Sequence, residues 1–250
     1  MWPNWEEICT KNPITENLEG ALSIEAVLID FGGTLDSDGL DWYETFYRIC
    51  QEEGMLINSD EFERLGRIAG TRISRHDDVR NLKLDVHVHR LMAELREVMD
   101  DEIIMDPIKT SETFLARAKL WLTSHLPIVE KLSADFRLGC LSNNWGNAQG
   151  WCEQFGFFEH MEVAVDSTLV GVSKPDRRIF EIGLRRLDLP AEKVAYVGDR
   201  YETDMEGAKG AGLTTVWISH PHYENDVKEG IADYTIRSFS EILEIAEEWK

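Results

Sequence analysis

Five short apolar runs alternate along this chain with segments whose apolar residues recur at helical spacing. The runs are mostly continuous, which is typical of strands buried on both faces of a sheet. Strands that alternate with helices build a parallel sheet covered by helices on both sides. The sequence therefore predicts an α/β fold with a Rossmann-like, doubly wound core, whose strands lie in IEAVLID at 24–30, FRLGCLSN at 136–143, MEVAVDS at 161–167, KVAYVGD at 193–199 and LTTVWIS at 213–219.

One long stretch interrupts this alternation. Residues 41–122 contain no convincing buried strand, only helical patterns such as DWYETFYRICQEEG and DVHVHRLMAELREVMD. We therefore predict an all-helical insertion over 41–122, within a core formed by 21–40 and 123–250. The apolar stripe of SFSEILEIAEEWK predicts that an amphipathic helix ends the core. Residues 1–20 are predicted to be an N-terminal extension that packs on the core through Trp2 and Trp5.

Composition narrows the partners that we expect. The chain has 250 residues and a formal net charge of -21, so nucleic-acid backbones and anionic membranes are unlikely partners. A phosphate group would need a locally positive site. No run approaches the roughly 18 apolar residues of a membrane span, and no secretion signal is visible. The sequence leaves the oligomeric state open, and it favours a cytoplasmic protein with reduced thiols, because no CxxC pair joins Cys9, Cys50, Cys140 or Cys152.

Polar residues with catalytic potential follow several of the predicted strands. Ligands of doubly wound sheets bind beyond the carboxyl ends of the strands, so residues from different strands are expected to meet there. Each residue alone is equally consistent with a turn or a helix cap. Together they offer a carboxylate nucleophile, a hydroxyl, an amide, a lysine and a carboxylate pair, which suits phosphoryl transfer. They are Asp30, Ser142, Asn143, Lys174, Asp199 and Asp204.

The local sequences around these residues resemble the four motifs of the haloacid dehalogenase (HAD) superfamily. The first three are DFGGTL at 30–35, LSN at 141–143, and GVSKPD at 171–176 followed by RIF. The fourth, VGDRYETDMEGAKGAG at 197–212, is the most specific, because GDxxxxD followed by GAxxAG directly after an apolar strand is rarely accidental. The helical insertion resembles the cap domain that this superfamily carries between its first two motifs.

The resemblance implies a magnesium-dependent phosphatase that acts on a small phosphomonoester through an aspartyl-phosphate. Asp30 would be the nucleophile, and Lys174 would balance its charge. The implied substrate-binding residues are Thr34 and Ser142 on the phosphoryl oxygens, Asn143 beside them, and Trp145 lining the pocket. Mg²⁺ prefers oxygen ligands, and the implied ligands are Asp30, the backbone carbonyl of Gly32, Asp199 and Asp204.

Gly32 is the position where the chain departs from the family's phosphatases. There the resemblance predicts a second aspartate, which protonates the leaving oxygen and then activates water. General acid–base help of this kind is worth roughly two to four orders of magnitude in rate. Glycine keeps the backbone carbonyl but removes the proton donor. Asp36 and Asp38 are candidate replacements, although turn or capping roles are the favoured interpretation of both, and water or an acidic leaving group is a further alternative.

Three other functions stay open at the level of sequence. The chain could be a catalytically weak or silent HAD-fold protein that binds a phosphorylated ligand or a protein partner. Carbon–halogen hydrolysis needs no leaving-group acid, but relatives that perform it replace the acid that Asp199 retains here. Phosphonate hydrolysis uses a cap lysine, and Lys83 lies outside any similar motif.

His87 and His89 point to different faces of a helix, which argues against a metal site. Trp42 and Tyr43 are expected in the core, with pocket lining as the alternative.

Overall fold

The structure is a computed structural model that describes residues 23–226 and 230–250. The expected N-terminal extension at 1–20, with Trp2 and Trp5, lies outside the described residues. Within the described ranges, every helix is too short or too polar to span a lipid bilayer.

Six parallel strands form one sheet in the described part of the chain. The order across the sheet is β3-β2-β1-β4-β5-β6. This confirms the predicted doubly wound α/β core, and each predicted apolar run contains one strand. The sixth strand was not predicted, because three residues at the sheet edge are too few to give a periodic signal. The strands are β1 Ala26–Ile29, β2 Arg137–Ser142, β3 Val163–Asp166, β4 Val194–Gly198, β5 Thr214–Ile218 and β6 Tyr234–Ile236.

The strand order reverses direction between β1 and β4, which lie side by side at the centre of the sheet. Ile29 of β1 is in register with Cys140 of β2 and Val197 of β4. A reversal of this kind opens a crevice at the carboxyl ends of the strands, where ligands of such sheets bind. The chain places Asp30 directly after β1 and Asp199 directly after β4 at this crevice.

The sheet is buried on both faces. Val27 and Ile29 belong to one buried apolar cluster, which continues into the helical insertion. Ala26 and Leu28 belong to a second cluster on the opposite face. Successive side chains of a strand point to opposite faces, so a continuous apolar run such as AVLI fills both layers. This burial fixes the register of β1 and with it the position of the residue that follows.

The insertion is helical throughout. Its helices are α1 Trp42–Glu52, α2 Ser59–Ile73, α3 Leu84–Val98 and α4 Pro107–Leu132, with a short 3₁₀ turn between α2 and α3. The side chain of Asp41 caps α1 by accepting a hydrogen bond from the amide of Glu44. Helix α4 continues through the predicted boundary at 122 and ends on the core side. The division into core and cap therefore stays a prediction, since one unbroken helix belongs to both.

Shorter helices complete the core. They are α5 Ala148–Gln154, α6 Ser167–Val170, α7 Arg177–Leu187, α8 Glu206–Gly210 and α9 Ile242–Glu248. Helix α9 lies in the predicted C-terminal amphipathic segment, and it buries Ile242 and Ala246 against the core, with Trp249 just after its end.

Candidate active site

Asp30 is the first polar residue after β1, and it is only 6% exposed. One carboxylate oxygen accepts a hydrogen bond from the Phe31 amide at 2.8 Å, which orients the side chain. The other oxygen lies 2.7 Å from the ammonium nitrogen of Lys174. Burial raises the pKa of Asp30, whereas Lys174 and the Ser142 hydroxyl act to lower it.

Lys174 lies between two carboxylates. Its ammonium nitrogen is 2.6 Å from Asp204 as well as 2.7 Å from Asp30, and it donates to the Tyr196 hydroxyl at 2.8 Å. Burial alone would lower the pKa of this lysine, but the two carboxylates outweigh burial and raise it above its ordinary value. The lysine is therefore a fixed positive charge beside the candidate nucleophile.

Asn143 holds the backbone of Lys174 in place. Its amide nitrogen donates to the carbonyl of Lys174 at 3.1 Å, and its amide oxygen accepts from the Lys174 N–H at 2.8 Å. Asn143 thus joins the end of β2 to the lysine loop. Tyr196 supports the same lysine from β4, and its hydroxyl also donates to the carbonyl of Leu141 at 3.1 Å.

Asp199 and Asp204 complete a carboxylate cluster with Asp30. One oxygen from each of the three lies within 4.8 Å of the other two. One oxygen of Asp199, Oδ2, is buried and has no hydrogen-bond partner among the described residues. Gly33, at φ 80°, makes this arrangement possible, because a Cβ there would overlap the Asp199 carboxylate.

The charges of this cluster do not balance within the protein. Burial, reinforced by the neighbouring carboxylates, raises the pKa of Asp199 well above its ordinary value. Three carboxylates face one ammonium group, and an isolated buried charge is costly. A divalent cation with oxygen ligands would neutralise the excess and give the unpaired Asp199 oxygen a partner. The donor set is the kind that Mg²⁺ prefers, so the residues fit the expected ion.

A cavity of about 250 Å³ opens beside Asp30. Six of the predicted site residues line it: Asp30, Gly32, Ser142, Asn143, Trp145 and Lys174. Asp199 lines an adjoining cavity of about 370 Å³ between the insertion and the core. Asp204 and Thr34 are fully buried and line neither. The Thr34 hydroxyl lies 3.4 Å from the Asp199 carboxylate, and its expected contact with phosphoryl oxygens stays a prediction.

Trp42 flanks the position of the missing aspartate. A Cβ placed on Gly32 would lie 3.4 Å from the indole nitrogen of Trp42, in ordinary van der Waals contact. The indole N–H donates to the Asp36 carboxylate at 2.6 Å. The sequence interpretation favoured a core position for Trp42. It is half-buried and lines the cavity, so the structure supports the alternative of pocket lining.

Both candidate replacement acids have structural partners. Asp36 accepts from the amide of Gly33 at 2.7 Å in addition to Trp42, and burial raises its pKa to about 7. Asp38 accepts from the amide of Phe239 at 2.8 Å and lies 3.4 Å from the His125 ring. Partial burial alone would raise the pKa of Asp38, but the hydrogen bonds and the nearby His125 outweigh burial, so the pKa is lowered. Neither residue lines the cavities beside Asp30.

Tyr196 is a site residue whose role the sequence interpretation missed, and Trp42 is one for which pocket lining was only the alternative. Tyr196 interrupts the apolar strand VAYVG, and a buried tyrosine hydroxyl normally has a hydrogen-bond partner. That signal pointed to a polar neighbour but not to Lys174. Trp42 begins α1, and its position beside Gly32 depends on how the insertion folds back over the core.

Comparison with known proteins agrees with this geometry. A family model described as haloacid dehalogenase-like hydrolase matches residues 24–212. A glyceraldehyde 3-phosphate phosphatase of Methanocaldococcus jannaschii is 34% identical over 97 residues, which cover 39% of this chain and 42% of that protein. The pyrimidine 5'-nucleotidase YjjG of Escherichia coli is 29% identical over 151 residues, which cover 58% of this chain and 66% of that protein. The chain thus spans less than two thirds of either relative.

Solved structures share the fold over most of the chain. A 2-haloacid dehalogenase from Pseudomonas syringae has a TM-score of 0.52 and 20% identity, and the match covers 91% of this chain and 100% of that one. The HAD-hydrolase YfnB from Bacillus subtilis, solved with bound magnesium, has a TM-score of 0.54 and 20% identity over 89% of this chain and 98% of that one. With the matched family model and the strand-end cluster, these findings establish that the chain belongs to the haloacid dehalogenase-like hydrolases.

Proposed function

We propose that this protein hydrolyses a small phosphomonoester through an aspartyl-phosphate on Asp30. The observation that carries the proposal is the ion triad of Asp30, Lys174 and Asp204, with the Asp199 carboxylate beside it. This arrangement presents a nucleophile and a fixed cation at the switch point of the sheet. The relatives named as phosphatases act on phosphate esters, which supports the same reaction class here.

In this proposal each residue has a defined task. The Asp30 oxygen attacks phosphorus, while the Lys174 ammonium and the Ser142 hydroxyl bind the phosphoryl oxygens and stabilise their developing charge. Asn143 and Tyr196 hold Lys174 in position. Trp145 bounds the cavity that receives the leaving group.

We further propose Mg²⁺ as the cofactor. Asp30, the backbone carbonyl of Gly32, Asp199 and Asp204 would hold it. When bound, the ion supplies charge neutralisation for the phosphoryl group and the carboxylates around it. The cysteines described by the structure are Cys50, Cys140 and Cys152, all buried and free, and they suit the proposed cytoplasmic setting.

The direct test is a phosphomonoester panel with Mg²⁺, including glyceraldehyde 3-phosphate and pyrimidine 5'-nucleotides. Asp30→Asn keeps the size of the side chain but removes the nucleophile, and we expect it to lower kcat by about 10⁴-fold or more. Asp77→Asn, at an exposed aspartate in the turn after α2, is the matched control and should leave activity unchanged. Turnover that survives in Asp30→Asn would contradict the aspartyl-phosphate. No turnover, with phosphate still bound, would favour a silent phospho-ligand-binding protein.

A further inference from the structure

Three half-buried aromatic side chains line the same cavity as Asp30, and we call them the aromatic wall: Trp42, Tyr43 and Trp145. Both indole N–H groups already have partners within the protein. That of Trp42 donates to Asp36 at 2.6 Å, and that of Trp145 donates to the carbonyl of Gly70 at 3.1 Å. The tryptophans therefore offer a ligand the surfaces of their rings rather than hydrogen bonds.

Helix α2 is shaped to hold this wall. A Cβ on Gly66 would lie 2.6 Å from the ring of Tyr43, closer than side chains pack. A Cβ on Gly70 would lie 3.0 Å from the Tyr43 hydroxyl and 3.5 Å from the Trp145 ring. Glycine weakens a helix interior by roughly 1 kcal/mol relative to alanine. Two glycines in one helix, both beneath the wall, therefore fix the positions of these rings at some cost to the helix.

None of the described residues that line the cavity has a side chain placed to protonate a leaving group. Among the described residues that line it, the carboxylates are Asp30 and Asp41. Asp41 is fully engaged, because one oxygen accepts from the Glu44 amide and the other lies 2.7 Å from both Arg200 and the Tyr223 hydroxyl.

The phenol group that lines the same cavity is no better placed. Tyr43 lines it, but burial raises the pKa of the Tyr43 hydroxyl above its ordinary value and makes that group a weaker acid. The Trp42 indole lies beside Gly32, where the family's phosphatases carry their acid. A leaving group in this cavity finds no acid among the described residues that line it, so it must depart as an anion that is stable without a proton from them.

We infer that the substrate is an aryl phosphate, a phosphate monoester of a phenol, whose ring lies against the aromatic wall. This inference rests on the proposed phosphatase function and names its substrate class. A phenol ionises near pH 10, as tyrosine does, far below an aliphatic alcohol, so its anion leaves without an acid catalyst. A cavity of about 250 Å³ lies just below the range of about 300–1,000 Å³ typical of drug-sized ligands, which suits one ring and a phosphate.

The reaction balances without a protein acid. An Asp30 oxygen forms a bond to phosphorus as the bond from phosphorus to the phenolic oxygen breaks, and the phenolate leaves with the electron pair. Water then attacks phosphorus, which breaks the bond to Asp30 and regenerates the carboxylate. The proton that this water releases goes to the phenolate through solvent. The products are phenol and inorganic phosphate.

The test compares three esters of similar size with Mg²⁺ and the 250-residue chain: phenyl, benzyl and cyclohexyl phosphate. Benzyl phosphate keeps the ring but has an alkoxide leaving group, and cyclohexyl phosphate lacks the aromatic ring as well. We expect kcat/KM for phenyl phosphate to exceed that for either alkyl ester by about 100-fold, the effect of one missing general acid. Rates on benzyl or cyclohexyl phosphate equal to the phenyl rate would overturn the inference.

A variant of the wall tests ring recognition separately. Trp145→Leu should raise KM for phenyl phosphate by about tenfold, and Trp145→Phe, which keeps a ring, should raise it much less. Trp121→Leu, on the exposed face of α4, is the control and should leave KM unchanged. Equal KM values for Trp145→Leu and wild type, with matching thermal unfolding, would overturn the role of the wall.

The outcomes separate this inference from the function on which it rests. If alkyl esters are hydrolysed as well as aryl esters and Asp30→Asn abolishes both, the phosphatase proposal stands and the aryl inference fails. If no ester is hydrolysed, or if hydrolysis survives Asp30→Asn, the phosphatase proposal itself fails.

Discussion

The two flanks of Asp30 differ in chemistry. On one flank lie Lys174, Asp199 and Asp204, which are buried and ionisable; Lys174 contacts Asp204, and an oxygen of Asp199 lies within 4.8 Å of one of Asp204. On the other flank lie Gly32 and the Trp42 indole, with no free carboxylate among the described residues that line the cavity. The comparison teaches that the residues of the proposed phosphate and metal site are all present while the usual proton donor beside the nucleophile, an aspartate that also gives its backbone carbonyl to the metal, is replaced by glycine.

The charged flank should be the more sensitive to substitution, and Lys174→Met should have the largest effect. It leaves Asp30 and Asp204 buried without their cation, a loss that typically costs about 3–5 kcal/mol. We expect a lower free energy of unfolding by urea at pH 7, and a fall in kcat of about 100-fold or more in the folded fraction. Lys119→Met, on the exposed surface of α4, should change neither quantity. A near-normal kcat in Lys174→Met would contradict the proposed catalytic role of Lys174.

The second-largest effect is expected for Asp199→Asn, which should weaken metal binding. The variant removes one negative charge from the cluster, while the Thr34 hydroxyl and the loop that carries residue 199 remain. We expect the Mg²⁺ concentration for half-maximal activity to rise at least tenfold, and calorimetric Mg²⁺ titration to show the same loss without substrate. Asp77→Asn again serves as the control. An unchanged Mg²⁺ requirement would contradict the proposed ligand set.

Asp36→Asn tests whether the other flank hides a proton donor. An amide offers one acceptor oxygen, so either the Gly33 amide or the Trp42 indole loses its partner, at a cost of about 1–3 kcal/mol in urea unfolding. Activity on phenyl and benzyl phosphate should fall equally and by less than about tenfold. A selective loss on benzyl phosphate would identify Asp36 as the relocated acid. The same comparison applies to Asp38→Asn.

The smallest effect at neutral pH is expected for His87→Phe, behind the aromatic wall. His87 is fully buried, both ring nitrogens lack partners among the described residues, and its ring centroid is 4.5 Å from that of Trp145. Removing an unpaired buried polar group should raise the free energy of unfolding by about 1 kcal/mol. Activity should change little, because His87 does not line the cavity.

The difference in free energy of unfolding between His87→Phe and wild type should increase as the pH falls. Burial, with a smaller effect of Arg90, lowers the pKa of His87 from 6.5 to about 4. Between those values the unfolded chain binds a proton that the folded protein does not, so wild type loses stability as the pH falls from about 6.5 to about 4. The variant lacks this loss, and the gap should widen by up to about 3 kcal/mol and then level off. Urea unfolding at pH 7, 5.5 and 4 measures it, and a constant gap would contradict a buried neutral histidine.

Much of the charged flank could be predicted from the sequence, and little of the aromatic flank. Asp30, Ser142 and Asp199 follow buried apolar runs, and parallel strands bring their carboxyl ends to one edge. The local sequence motifs were therefore enough to predict that these three side chains lie close together. Each of the five predicted apolar runs contains a strand of the parallel sheet.

The position of Trp42 beside Gly32 and the hydrogen bond from Trp145 to Gly70 both join the core to the insertion. They depend on how α1 and α2 pack over the sheet, which short-range patterns do not specify. The same holds for Tyr196, whose partner Lys174 lies 22 residues away in the chain. The short edge strand β6 was missed because three residues give no period. Contacts between residues that are distant in the sequence therefore could not be predicted from local patterns.

The central claim is that this site has every part of a phosphatase except a proton donor, and Gly32→Asp tests it most directly. Gly32 has an ordinary φ of -73°, and a new Cβ would meet only the movable Trp42 ring, at 3.4 Å. With Mg²⁺, we predict that Gly32→Asp raises kcat on benzyl phosphate by about 100-fold or more and changes the phenyl phosphate rate far less. Gly32→Asn, of equal size but without an acid, should give no such gain. A folded Gly32→Asp protein with no selective gain on benzyl phosphate, or an equal gain in Gly32→Asn, would contradict the claim.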